Sequence, residues 1–388
     1  MQNNDRWQGV AMRALSYVLV AAVASAVTFF LFGRPASKLD QLESLLQEKF
    51  IGEIDQTAME DAAADAMVQA LGDRWSYYIP ADEYASYKER KRNEYVGIGV
   101  TISVREDGTG FDILQVEPGG SAKEAGVLPG DILTEVDGQP VSELGTNGAR
   151  ELIQGKAGTE VSVGILRNGE KMTFRLKRKV IDIAVATGQM LDNNVGYVTI
   201  ANFNDKCCEE TVAAVEQLLE QGAQALIFDV RNNGGGYLSE LIDLLDYLLP
   251  EGVIFREVDY TGREKEEKSD ADCVEIPMAV MVNSGSYSAA EFFAAALEEY
   301  DWAIVAGDPT SGKGYYQNTY TLNDGSAVGV SIGKYFTPNG VNLQEVGGLV
   351  PEVLVELDEQ TAALLSSGAL APEEDPQLQA AIRALLGS

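Results

Sequence analysis

The spacing of apolar residues changes along the chain, and the first region has a helical period. Residues 38–50 are predicted to form an amphipathic helix whose apolar positions are Leu39, Leu42, Leu45, Leu46 and Phe50. A second helix is predicted over residues 59–71, ending at Gly72. The apolar stripes need a partner, which is either the body of the protein or a second copy of the chain in a homodimer.

Residues 95–179 instead contain short alternating apolar runs separated by Gly, Pro and Asp-Gly. Strands are predicted at 100–104, 111–116, 132–136, 161–166 and 174–176, with short helices at 121–125 and 148–153. Asn168-Gly169 is typical of a type I′ hairpin turn. This region is therefore predicted to be a small β-rich module inserted between two other regions.

After Lys179 the pattern predicts strands that alternate with helices. The strands are at 195–200, 225–230, 277–282 and 302–307, and the helices at 211–219 and 239–249. Such alternation predicts an α/β core with a mixed, largely parallel sheet covered on its faces. Further strands at 327–332 and 334–336 are followed by an acidic linker at 373–375 and a helix to Leu386.

The longest uncharged apolar run lies near the N-terminus, at residues 14–32. Nineteen residues at about 1.5 Å each span roughly 28 Å, close to the thickness of a bilayer core. We expect an uncleaved transmembrane helix, although a cleaved signal peptide is the competing interpretation. Arg6 and Arg13 precede the run and place the N-terminus inside, so the rest of a single-pass protein of the cell membrane lies on the extracytoplasmic side.

Composition excludes several classes of function. The 388 residues include 29 basic and 60 acidic ones, a net charge of −31, which argues against a nucleic-acid partner. There is no histidine, so a Ser-His-Asp triad and a His-containing metal site are both excluded. Cys207, Cys208 and Cys273 are too few and too irregular for a disulfide framework or a zinc site. We expect no metal and no cofactor.

Without histidine, a lysine is the natural base for a serine nucleophile. Ser288 follows the predicted strand at 277–282 in a turn of small residues, and Lys313 stands between two glycines 25 residues later. To act as a base, the lysine must lose its proton near neutral pH, which requires burial or a nearby positive charge. Gln317 would share a strand face with Lys313 and orient its amine. The backbone N–H groups of Gly234, Gly235 and Gly236, together with that of Ser288, would form an oxyanion hole.

Two other classes of function remain open. Residues 307–313 satisfy most of the pattern of a nucleotide-binding P-loop, but Gly314 stands where that motif has a hydroxyl residue. A β-prone segment follows where a P-loop requires a helix. The second alternative is an inactive scaffold that binds the C-termini of proteins without cleaving them.

Residues 97–138 resemble a PDZ domain. Gly97-Ile98-Gly99-Val100 is similar to the loop that holds the terminal carboxylate of a peptide, and residues 119–138 match the middle of the module. Four ordered motifs, at 229–238, 283–291, 307–317 and 335–340, together resemble the carboxyl-terminal processing peptidases, also called tail-specific proteases.

This resemblance implies a serine endopeptidase in which Ser288 is the nucleophile, Lys313 the general base and Gln317 its orienting partner. Gly235 and the Ser288 N–H would then bind the oxyanion. The substrates would be proteins with disordered, apolar C-terminal tails, which the PDZ domain binds. The implied regions are 1–36 (cytoplasmic tip and anchor), 37–94 (helices), 95–179 (PDZ domain) and 180–388 (protease core).

Four residues depart from the pattern of that family. Family members commonly have Pro at Gly234, Ala at Tyr287, Ser at Ala290 and an aromatic residue at Ser311. None of these departures removes a catalytic group. We expect a changed cleft and a looser oxyanion loop, and thus altered specificity sooner than lost activity.

Overall fold

The computed structural model describes residues 16–23, 37–105 and 107–387. The chain divides into two compact units, Met1–Met67 and Val68–Ser388. In the first unit residues 16–23 are helical (α1), and α2 (Lys38–Lys49) begins with a capping box between Ser37 and Asp40. Helix α3 (Gln56–Gln69) starts in this unit. The predicted apolar stripe of α2 is exposed, with Leu42 at 49% and Leu45 at 54%.

The predicted transmembrane segment at 14–32 lies largely outside the described residues, which include only 16–23 of it. Over the ranges that the structure describes, no helix is both long enough and apolar enough to cross a bilayer.

The second unit begins with strand β1 (Tyr77–Ile79) and helix α4 (Ala81–Lys91), which the sequence pattern did not predict. Pro80 precedes α4, and the helix has acidic residues in its first turn and basic residues in its last. Both charge preferences suit the helix dipole. Asn93 follows with a positive φ of 53° and leads into β2 (Glu94–Gly97).

The β-rich module forms next, with strands close to those predicted. Its elements are β3 (Val100–Val104), β4 (Phe111–Val116), α5 (Ser121–Glu124), β5 (Ile132–Val136), β6 (Gln139–Pro140), α6 (Val141–Ile153), β7 (Glu160–Arg167) and β8 (Glu170–Lys177). Asn168 and Gly169 both have positive φ in the β7–β8 hairpin, as a type I′ turn requires. Strand β9 (Lys179–Asp182) pairs with β2. The segment that enters the module and the segment that leaves it therefore lie side by side.

A six-stranded mixed sheet forms the centre of the core. It contains β10 (Ala186–Leu191), β11 (Val195–Ile200), β12 (Ala225–Asp229), β15 (Met278–Val282), β16 (Ala303–Gly307) and β19 (Val353–Leu354). All pairs are parallel except β10 with β11, which confirms the predicted mixed, largely parallel sheet. Strands β12 and β15 are buried at every position.

A second, five-stranded antiparallel sheet packs beside it. It joins β1 to β13 (Gly252–Asp259), β14 (Glu264–Ser269), β17 (Tyr315–Thr321) and β18 (Ala327–Phe336). The two strands predicted at 327–332 and 334–336 form one continuous strand. The remaining core helices are α7 (Cys207–Glu220), α8 (Leu238–Leu248), α9 (Ala289–Glu299), α10 (Leu343–Val346), α11 (Glu359–Ser367) and α12 (Pro376–Leu386).

Helix α9 lies at the centre of the main apolar cluster, because each of its residues from Ala289 to Leu297 is buried. Residues 373–375 were predicted to be an acidic linker; in the structure Glu373 and Glu374 end a short 3-10 turn and Asp375 is the N-cap of α12. Asp375 is only 3% exposed, caps α12 through the N–H groups of Gln377 and Leu378, and forms an ion pair with Arg231.

Candidate active site

Ser288 lies at the junction between buried strand β15 and helix α9. It is the N-cap of α9 and has φ 60° and ψ −126°, a conformation that side-chain-bearing residues rarely adopt. Such strain persists only where the surroundings enforce it and is concentrated at functional sites. The helix dipole favours negative charge at this end, so an oxyanion formed near Ser288 is stabilised by its position.

The loop that carries Lys313 is fixed to helix α9 by Glu291. This carboxylate is completely buried and accepts the N–H groups of Gly312 at 2.8 Å and Lys313 at 2.9 Å. It also accepts the Thr310 hydroxyl. Burial raises the pKa of Glu291, and these hydrogen bonds oppose that rise. Glu291 lies one helical turn after Ser288, so it couples the serine and lysine segments directly.

Tyr335 makes a second link between the two segments. Its buried hydroxyl donates to the carbonyl oxygen of Lys313 at 2.6 Å. Burial raises the pKa of Tyr335 well above its usual value, the nearby Glu291 charge adds to the rise, and a hydrogen bond with the Ser288 side chain opposes it. The phenol therefore remains neutral and contacts both candidate catalytic residues.

The amine of Lys313 is held in a dry, positively charged environment. The residue is 9% exposed, and Nζ lies 4.8 Å from the centroid of the Trp75 ring. Burial is the largest cause of a lowered pKa of about 8, and the positive charge of Lys91 lowers it further. Both conditions that a lysine base requires are therefore present. The sequence pattern predicts these conditions but does not indicate Trp75 or Lys91.

Ser288 and Lys313 line the same cleft, which has a volume of about 1050 Å³. Between these two described side chains, however, no hydrogen bond is formed in this conformation. The Lys313 backbone is held by Glu291 and Tyr335, while its amine faces Trp75. Arg74 supports the loop from outside by donating to the carbonyl oxygens of Ser311 and Gly312.

Gln317 lines the cleft but is not placed against the Lys313 amine. Its amide nitrogen donates to the Tyr315 carbonyl at 3.1 Å and to the Ser331 hydroxyl at 2.9 Å. The expected shared face depended on regular alternation along the strand. A register shift between Tyr316 and Gln317 interrupts that alternation, and Lys313 lies before β17 begins.

The glycine loop after β12 packs closely against the serine. Gly235 has φ +81°, and a Cβ added there would lie 2.7 Å from the Cβ of Ser288. The Gly235 N–H donates to the Asn233 side chain at 2.8 Å. Asn233 is itself buried and donates to the Ile200 carbonyl. Gly235 therefore packs against Ser288, but its N–H donates to Asn233, a residue that the sequence pattern does not single out.

Two of the departures from the family pattern compensate for one another. A Cβ on Gly234 would lie 2.5 Å from the Tyr287 hydroxyl, so the tyrosine fills the space that a side chain at 234 would take. The Tyr287 ring also packs on Trp75 at a centroid distance of 5.6 Å. The aromatic residue thus supports the glycine loop instead of leaving it loose.

The same loop is tied to the C-terminal helix by a buried ionic network. Arg231 forms ion pairs with Asp229 and Asp375, both at 2.6 Å. It also donates to the Gln377 side chain at 2.9 Å. The network fixes the carboxyl end of β12 and attaches the start of α12 to it.

The geometry removes the nucleotide-binding alternative. A P-loop requires free backbone N–H groups and a following helix. Here the N–H groups of Gly312 and Lys313 are bonded to Glu291, and the next element is strand β17.

In the β-rich module the predicted carboxylate loop sits between two strands. Gly97 ends β2, Val100 begins β3, and the intervening Ile98 is a buried core residue. Gly99 has φ +80° and packs against Gly120, where a Cβ would lie 2.7 Å from the Gly120 Cα. The loop is therefore fixed by the segment at 119–122, which also matched the module pattern.

Comparisons with known proteins agree with this architecture. Residues 194–355 match Peptidase family S41, and residues 113–167 match a PDZ domain. The chain is 32% identical over 359 residues to the carboxy-terminal processing protease CtpA of Bacillus subtilis (strain 168), covering 88% of this chain and 76% of that protein. A carboxyl-terminal-processing protease of Synechocystis sp. is 30% identical over 351 residues, covering 88% and 81%.

Solved structures give the same result for the fold. A photosystem II D1 C-terminal processing protease is 26% identical, with a TM-score of 0.50, covering 89% of this chain and 93% of that one. An S41 protease structure from Bacteroides fragilis NCTC 9343 has a TM-score of 0.54 at 15% identity, covering 91% and 98%.

Proposed function

Because the chain belongs to the carboxyl-terminal processing proteases of peptidase family S41, we propose that it cleaves proteins by a Ser288/Lys313 mechanism. The observation that carries the proposal is the environment of Lys313, whose pKa falls to about 8 in the cleft that also contains Ser288. A lysine of this pKa is partly neutral at physiological pH and can accept the hydroxyl proton.

In the proposed reaction the Lys313 amine turns from Trp75 towards Ser288 and removes its hydroxyl proton. The serine oxygen attacks the peptide carbonyl, and the protonated lysine then supplies the proton that the leaving amine requires. A water molecule then attacks the acyl-enzyme, with Lys313 accepting the water proton and returning it to the Ser288 oxygen. Gln317 would orient the amine through its amide oxygen, because its amide nitrogen donates to Tyr315 and Ser331.

The oxyanion donors in this proposal are the N–H groups of Ser288 and Gly235. Gly235 lies against Ser288, as an oxyanion donor must. Its N–H is now bonded to the side-chain oxygen of Asn233, and that bond must break before the N–H can donate to the substrate oxygen. One such donor is worth about 3 kcal/mol of transition-state stabilisation. The dipole of α9 adds to the same stabilisation.

We further propose that substrate binding and cleavage are carried out by different domains. The PDZ domain, over residues 95–179, binds disordered, apolar C-terminal tails through the loop Gly97-Ile98-Gly99-Val100, and residues 180–388 cleave them. Residues 14–32 anchor the chain in the cell membrane with the protease on the extracytoplasmic side. The exposed leucines of α2 supply a surface for a homodimer.

The test is incubation of the purified full chain with a folded protein that bears a disordered apolar C-terminal tail. We expect clipping of the tail by the wild type and none by Ser288→Ala, measured by intact-protein mass spectrometry. Ser284→Ala in the same turn is the matched control and should retain activity. Clipping that survives unchanged in Ser288→Ala would refute the proposal.

A further inference from the structure

The cleft around Ser288 and Lys313 has an unusual charge for this protein. Acidic residues outnumber basic ones by about two to one in the whole chain. Five basic side chains nevertheless line this cleft, and its acidic lining residue is Asp205. The basic residues are Arg74, Lys88, Lys91, Arg92 and Lys313.

Three of these cations come from the end of helix α4. Tyr84, Tyr87, Lys88 and Lys91 are spaced at i, i+3, i+4 and i+7, so they lie on one face of the helix, and all four line the cleft. Arg92 follows directly at the C-cap. One wall of the cleft is therefore a surface of tyrosine rings and cationic groups.

The rings hold the lysine heads in place. Lys88 Nζ lies 4.5 Å from the Tyr84 centroid, and Lys91 Nζ lies 5.3 Å from the Tyr237 centroid across the cleft. Lys91 also donates to the neutral side chain of Asn204 at 3.0 Å. The Tyr84 and Tyr87 rings are stacked at 6.0 Å. Cations held in this way are pre-organised to bind an incoming group.

The cations also lack a strong internal partner. Within the described part of the chain, Lys88, Lys91 and Arg92 take part in no ion pair. Asp205 raises the pKa of Lys91, but burial has the larger and opposite effect. Lys91 is half-buried, so leaving it without a counter-ion is costly, whereas Lys88 and Arg92 are exposed and free to contact an anionic ligand in the cleft.

We propose that the α4 wall, formed by Tyr84, Tyr87, Lys88, Lys91 and Arg92, is a substrate subsite that binds a carboxylate of the peptide. The proposal rests on the proposed peptidase function and specifies its substrate class: peptides with an acidic group close to the cleaved bond, flanked by apolar or aromatic residues that pack on the tyrosines. At physiological ionic strength the negative charge elsewhere on the protein is screened beyond about 8 Å, so the local cations decide the preference.

The carboxylate has two sources, an Asp or Glu side chain and the free C-terminus of the substrate. The side-chain source is tested with pairs of peptides that differ only by Glu or Gln at one position. One such pair is made for each position around the cleaved bond. A second set compares free with amidated C-termini. Cleavage by the full chain is measured as kcat/KM, and binding to Ser288→Ala is measured by fluorescence anisotropy.

We expect one position, or the free C-terminus, to improve kcat/KM and affinity about tenfold through charge-assisted hydrogen bonds. In Lys88→Gln combined with Arg92→Gln the advantage should fall to about twofold or less. Arg90→Gln is the matched control, because it removes a positive charge from the same helix but does not line the cleft. Lys91 is left intact because its charge lowers the pKa of Lys313.

The subsite proposal would be overturned if the two peptides of every pair, Glu against Gln and free against amidated C-terminus, were cleaved equally well and bound equally tightly. An equal loss of preference in Arg90→Gln would also overturn it, since the effect would then be one of overall charge. Failure of the peptidase proposal is a different result: no peptide is cleaved, while the binding measurement on Ser288→Ala still decides whether the subsite exists.

Discussion

The Glu291 carboxylate accepts the backbone N–H of Lys313 at 2.9 Å, and this bond crosses from the serine helix to the lysine loop. The same carboxylate also accepts the Gly312 N–H, so two hydrogen bonds attach the Lys313 loop to helix α9. The segments that carry the proposed nucleophile and the proposed base are therefore joined by one buried side chain.

Glu291→Gln should lower kcat by tenfold or more and leave KM within about twofold. The amide can accept one of the two N–H groups but presents its own N–H to the other, and a charged hydrogen bond is worth about 1.5–3 kcal/mol. Glu298→Gln is the control, since Glu298 lies on the same helix near its other end. Equal kcat values for the two variants would contradict a positioning role for Glu291.

Trp75→Ala should move the pH dependence of activity. In the proposed mechanism the neutral amine of Lys313 is the reactive form, so activity should rise with pH around a midpoint of about 8 and fall as the lysine protonates below it. Removing the indole exposes the amine, weakens the desolvation that lowers its pKa, and should raise the midpoint by about one pH unit.

The control for this measurement is Trp75→Phe, which retains an aromatic face over the amine. Its midpoint should stay near that of the wild type. The role assigned to Trp75 would be incorrect if both variants had the wild-type midpoint in a pH profile of kcat/KM.

Gly234 and Tyr287 should behave as a coupled pair. Gly234→Ala places a Cβ against the Tyr287 hydroxyl, and such overpacking costs roughly 1–3 kcal/mol of unfolding free energy. Combining it with Tyr287→Ala removes the obstacle, so the double variant should be more stable than the sum of the single changes predicts. Denaturant unfolding of the four proteins measures the coupling, and strict additivity would show that the two residues are independent.

Asp375→Asn should destabilise the core by ~2–3 kcal/mol in denaturant unfolding. The change leaves Arg231 buried with one of its two anionic partners, and breaking a buried ion pair is costly. Asp358→Asn is the control, because Asp358 also caps a helix through a side-chain bond but is exposed. A loss no greater than that of Asp358→Asn would mean that the buried network contributes little.

Local sequence patterns were sufficient to predict most strands and the positions of the two catalytic candidates. The PDZ strands have strong alternation and clear turn residues, and β12 and β15 are short, fully apolar runs. Ser288 and Lys313 follow the carboxyl ends of β15 and β16, which is where functional sites lie in sheets of this kind.

What the sequence did not reveal depends on contacts between distant residues. Trp75 lies more than 200 residues before Lys313, and nothing in its local pattern indicates that it covers the amine. The acidic run at 373–375 was predicted to be a linker, and the partner of Asp375, Arg231, lies 144 residues earlier in the chain. Gln317 was placed by ideal strand alternation, which a single bulge alters. Each of these relationships is fixed by tertiary packing.

The central claim is that Lys313 is the general base, and Lys313→Arg tests it most directly. Arginine keeps the positive charge and the length of the side chain but stays protonated, so it cannot accept the serine proton. We predict loss of tail cleavage to the level of Ser288→Ala, with the fold intact by circular dichroism, while Lys334→Arg, at an exposed ion pair, retains wild-type activity. Cleavage by Lys313→Arg at a rate close to that of Lys334→Arg would contradict the mechanism.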